Sequence, residues 1–168
     1  MKKFLISFIL IMSCLYAEAQ DLSKVTINTV WYQADSLIEQ IYPVTTNGTQ
    51  MNGAFKKKVQ LVYNGETSNV KVKDITLYAY ANAAYMQSPN NFGIIPLVSK
   101  SGTRTYQWMS ASALKAKTNE NMIAVTYEKV GDNVFKVKPA SDLAPGEYGF
   151  VNNVSGMPSI IYGFTIVE

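Results

Sequence analysis

Apolar and polar residues alternate through most of this chain. From Val25 to Val167 the dominant period is two, and no long stretch keeps a helical period. Val25, Ile27, Val30, Trp31 and Tyr32 fall in a predicted first strand over residues 25–32. Residues 34–41 read either as more strand or as one helical turn, and the largely polar residues 45–53 read as a loop. Val59, Leu61 and Tyr63 share a strand face, Val70 and Val72 carry the next, and Ile75, Leu77 and Ala79 alternate with Thr76, Tyr78 and Tyr80. Hairpin turns are predicted at Asn64-Gly65, at Lys100-Ser101-Gly102 and at Val130-Gly131-Asp132-Asn133, because Asn and Gly tolerate the positive φ that tight turns need. Residues 110–121 read as a loop, with or without one helical turn, and a last strand sets Ile160, Tyr162, Phe164 and Ile166 on one face. The pattern predicts an all-β fold, an antiparallel β-sandwich of about eight or nine strands. No repeat or composition break divides it, so residues 20–168 are expected to form a single domain.

The segment "DLAPGEYGFV", residues 142–151, joins two of these strands. Pro145 fixes φ for a turn, Gly146 supplies conformational freedom, and Leu143 can plug the end of a sandwich. Tyr148 is expected to bury its ring and return its hydroxyl to nearby backbone. With Leu143, Pro145 and Gly146, it resembles the tyrosine corner of immunoglobulin-like and fibronectin-type sandwiches. In antibody domains a disulfide cysteine follows two residues after that tyrosine; here the position holds Phe150. The succession "SNVKV", "PLVSKSGTRTY", "VFKVKPASDLAPGEYGF" and "YGFTI" resembles exported bacterial β-sandwich proteins of uncharacterised function, over residues 65–168. That resemblance implies an immunoglobulin-like sandwich and brings no catalytic residue.

The start of the chain changes the compartment. Lys2 and Lys3, the apolar run of residues 4–12 and Ala17-Glu18-Ala19 predict a signal peptide over residues 1–19, too short for a permanent span. A second reading takes Ile11-Met12-Ser13-Cys14 as a lipobox that leaves Cys14 lipid-anchored. Either way the expectation is an exported protein, periplasmic or at the cell surface. No later apolar run is long enough for a transmembrane segment. Cys14 is the only cysteine, so after cleavage no disulfide supports the fold. The net charge of +3 loses one unit with the signal and gives no electrostatic case for nucleic acid.

Histidine is absent, which excludes imidazole acid–base chemistry and Ser–His nucleophiles. No G-x-S-x-G elbow or calcium loop occurs, and no cofactor or metal is expected. The carboxylates are scattered; only tertiary structure could bring together Asp74 with Glu128, or Glu66 with Glu147. The sharpest candidate ligand-binding set is Arg104, the only arginine, with Tyr106 and Trp108 on one face of a predicted strand. Stacked aromatics and a guanidinium would suit a sugar or peptide. The competing reading packs both rings in the core and pairs Arg104 with a carboxylate at its rim. Expected partners are a protein of the cell envelope or a glycan, and the chain reads as a non-enzyme.

Overall fold

The computed structural model describes residues 21–54, 57–85, 87–112, 115–118, 121–152 and 157–168. The expected signal segment, with Cys14, lies outside the described residues. Strands dominate: β1 (Val30–Ala34), β2 (Leu37–Ile41), β3 (Pro43–Asn52), β4 (Lys57–Asn64), β5 (Lys71–Val72), β6 (Leu77–Tyr80) and β7 (Gly93–Lys100) come first. Then follow β8 (Thr103–Ser112), β9 (Lys115–Thr118), β10 (Val125–Lys129), β11 (Val134–Pro139), β12 (Gly146–Val151) and β13 (Ile160–Ile166). The protein is all-β, and its pairings are antiparallel apart from a two-residue parallel contact of β5 with β13. Among the described residues no helix is long and apolar enough to cross a membrane.

One sheet is open, in the order β10-β11-β6-β1-β2. The other runs β12-β7-β8-β4-β3-β13, and β13 pairs β12 again, so six strands close into a ring. Two strands turn the corners. β7 pairs β12 through residues 93–97 and then β8 through residues 98–100. β3 pairs β13 through residues 43–45 and then β4 from Thr46, with Asn47 unopposed in a bulge. Bulges bend a strand and raise its twist, which is what closure requires. A sandwich of two open sheets does not close in this way, so the ring is a departure from that expectation.

Period-two patterning explains the layers. The outward residues of the ring, Tyr148 and Phe150 on β12 and Tyr162, Phe164 and Ile166 on β13, pack on Val30, Ile41, Leu77, Ala79 and Val137 of the open sheet. The inward residues Leu61, Tyr63, Ile95, Leu97, Tyr106, Val151 and Ile161 fill the ring. A third cluster lies on the far face of the open sheet, where Leu22 and Val25 cover Trp31, Tyr78 and Val134. Tyr78 is thereby buried, on the face of β6 opposite Leu77 and Ala79.

Several predicted elements differ. The first strand begins at Val30, because residues 26–29 turn, with Thr29 bonded to Thr26 and Asn28 at φ 60°. Residues 34–41 form a hairpin, β1–β2, turning at Asp35 with φ 52°. The two predicted loops are largely strand: residues 45–52 lie in β3, and residues 110–112 and 115–118 lie in β8 and β9. Most of β3 is exposed, so backbone pairing to β4 holds it without an apolar face to reveal it. The turns at Ser101-Gly102 and at residues 130–133 do join paired strands. Asn64-Gly65 does not, because β3 and β8 already occupy both edges of β4. The chain instead loops over residues 65–70 to reach β13.

Candidate ligand cleft

Arg104 points into the ring from β8 and is 3 % exposed. Its guanidinium holds the loop that Asn64-Gly65 begins. Nε donates to the Gly65 carbonyl at 3.0 Å, Nη2 to the Asn64 carbonyl at 3.2 Å, and Nη1 to Ser68 Oγ. Glu147 of β12 supplies the countercharge, with Oε2 3.6 Å from Nη1. The same oxygen accepts from Ser68 N at 3.0 Å and Ser68 Oγ at 3.1 Å, while Oε1 accepts from Thr165 Oγ1. Burial pulls the Arg104 guanidinium below its ordinary value, and Glu147 beside it opposes that shift. A buried pair this well hydrogen-bonded fixes one conformation of the loop.

The space for the pair comes from glycine. A Cβ on Gly163 would stand 2.5 Å from Arg104 Nη1 and 2.7 Å from Ser68 Oγ. Gly163 lies opposite Gly149, where a Cβ would meet Ile161 at 3.1 Å.

Tyr106 is buried in the ring and Trp108 is half-buried against the same cluster. Between Gln107 and Met109 the register of β8 on β4 slips by one residue, which places Trp108 in a bulge. Arg104, Tyr106 and Trp108 thus share the inner face, and the rings of Tyr106 and Trp108 pack inside the fold instead of forming an open platform. At the corner, Tyr148 Oη donates to the Ala144 carbonyl at 2.8 Å, and its ring stacks on Phe164 with centroids 5.7 Å apart. Leu143 packs on the inter-sheet core, Pro145 is exposed, and Gly146 is the first residue of β12. The proposed carboxylate pairs do not share a site: Glu66 is exposed and accepts from Gly102 N, while Glu147 is buried. Asp74 and Glu128 line separate surface hollows.

Beyond the buried Arg104–Glu147 pair lies a cleft that Arg104 borders from below. With Gly163, Arg104 floors this cleft of about 470 Å³, where the end of β2 and the start of β3 face the 65–70 loop. Tyr32, Glu39 and Tyr42 line it from β1, β2 and the β2–β3 junction, Asn64 from the end of β4 and Asn69 from the loop. Tyr32 Oη donates to Glu39 Oε2 at 2.8 Å, and burial followed by that hydrogen bond pushes the Tyr32 phenol up to about 12. Tyr42 stands 75 % exposed. Of this set, sequence reasoning named only Arg104 as a binding residue. The others come from three strands and a loop, with no spacing that links them. Two signals were available: Tyr32, adjacent to Trp31 and so on the opposite strand face, and Tyr42, a large aromatic out of phase with Ile41 in the core.

Comparison with protein-family models, with curated proteins and with solved structures finds no match to this chain.

Proposed function

We propose that this is an exported, non-enzymatic β-protein that acts by interaction, as an accessory or structural component of the cell envelope. The observation that carries this reading is the state of the buried charges. Arg104 and Glu147 bind each other and the chain's own loop, so neither is free to transfer a proton or attack a substrate. The immunoglobulin-like description belongs to the same proposal. It is supported by the Tyr148–Ala144 hydrogen bond and by the face-to-face packing of two sheets, with the closed ring as an elaboration. Crosslinking in intact envelopes, followed by purification of residues 20–168 with whatever is attached, tests the proposal. A defined partner is the expected result, and recovery of monomer alone under all conditions would overturn it. Mass spectrometry of the mature N-terminus separates a free Gln20 from a lipidated Cys14.

A second reading, a carbohydrate- or peptide-binding module, is favoured by one observation: Arg104 floors an open cleft with two tyrosines in its wall.

A further inference from the structure

We propose that this cleft binds a neutral saccharide, with Tyr42 as the stacking face and Glu39, Asn64 and Asn69 as hydrogen-bonding groups. The inference rests on the binding-module reading and names its ligand class. Its first support is size: about 470 Å³ lies within the usual range for small-ligand sites.

Charge is the second. Among the described residues, Glu39 and Arg104 are the charged ones that line the cleft, and Arg104 is already neutralised by Glu147. The charge left at the mouth is the Glu39 carboxylate, so an anionic ligand is repelled and a neutral one is not. Tyr32 holds one Glu39 oxygen and leaves the other to accept from ligand hydroxyls. The side-chain amides of Asn64 and Asn69 both donate and accept, which matches the mixed demand of vicinal hydroxyls.

Tyr42 is the third. It makes no hydrogen bond or ring contact among the described residues, yet exposes three-quarters of its surface at the cleft mouth. A sugar ring offers a C–H face that covers such an aromatic and hydroxyls that meet the rim. A peptide would dock differently. β2 is a sheet edge, and its pairing with β1 leaves the backbone groups of Ile38 and Gln40 open for strand addition.

The test is an amide-resolved NMR titration of the purified protein with neutral disaccharides (chitobiose, maltose, mannobiose), a digalacturonate and an extended peptide. A neutral sugar should shift Tyr42, Asn64 and Asn69, and Tyr42→Ala should weaken its binding about tenfold with no change in melting temperature. Asn69→Ala provides a second variant, from the 65–70 loop, with the same expected direction. Preference for the digalacturonate, binding indifferent to both substitutions, or no response to any sugar would overturn the proposal. If the peptide alone binds, shifting Ile38 and Gln40, the module reading stands and the saccharide falls. If neither class binds, both fall.

Discussion

β12 and β13 bury both of their faces, and the two faces are built from different chemistry. Toward the open sheet they present Tyr148, Phe150, Tyr162, Phe164 and Ile166, large side chains that meet a broad apolar surface. Toward the ring they present Glu147, Gly149, Val151, Ile161, Gly163 and Thr165. A six-stranded ring is narrow, so two of those six positions are glycine, one beside Ile161 and the other beside Arg104. One face is stabilised by area. The other depends on fit and on complete hydrogen bonding, and it tolerates change differently.

The largest effect is expected on the apolar face. Phe150→Ala should cost about 3–5 kcal/mol, because the ring is fully buried between Phe92 and Tyr162 and its removal leaves a cavity. Urea unfolding measures this, and a loss well under that range would mean the sheets can collapse onto the gap. On the ring face, Glu147→Ala should cost a comparable amount, about 3–5 kcal/mol, by leaving Arg104 buried and unpaired. The informative control is Glu147→Leu with Arg104→Met. Removing both charges should recover much of the loss in a double-mutant cycle. If the double variant is as unstable as the single, the pair matters through the loop it holds and not through its charge.

A smaller effect isolates fit. Gly163→Ala adds one methyl group against Arg104 Nη1 and should cost about 1–3 kcal/mol. Gly149→Ala, whose new Cβ meets Ile161 at 3.1 Å, should cost less. Equal values in thermal melts would argue that the ring yields as a whole.

The mildest perturbation is titration. Burial raises the phenols of Tyr63, inside the ring, and Tyr162, outside it, above the ordinary value of 10. The folded state therefore keeps protons that the unfolded chain gives up. That contribution is complete below pH 10 and is lost as pH rises toward the raised values, so stability should fall on the alkaline side. Unfolding midpoints at about pH 8 and about pH 11 check the sign, and Tyr63→Phe and Tyr162→Phe assign the contribution of each face.

How much of this was legible depends on what each residue does. The face holding Tyr162, Phe164 and Ile166 is written in alternation and could be read directly. So could the turns at Ser101-Gly102 and residues 130–133, where local φ preference and global pairing agree. Asn64-Gly65 carried the same local signal and misled, because pairing partners are assigned by the whole sheet. β3 and β9 were missed: most of β3 is exposed, so beyond Val44 it carries little apolar alternation to mark it, and Lys115-Ala116-Lys117-Thr118 of β9 is largely polar. The common face of Arg104, Tyr106 and Trp108 was visible, but a single strand carries no information about which of its faces will be enclosed.

The linear chain dictated the class of structure, because side-chain period and turn propensity act over a few neighbouring residues. It also dictated that imidazole chemistry is closed to it, because a missing histidine is missing in every conformation. Closure of the ring, the meeting of Arg104 with Glu147, and the cleft behind Tyr42 were settled in three dimensions. Each joins residues from different strands, Arg104 and Glu147 being far apart in sequence, and contacts at that range are chosen by the packing of the entire domain.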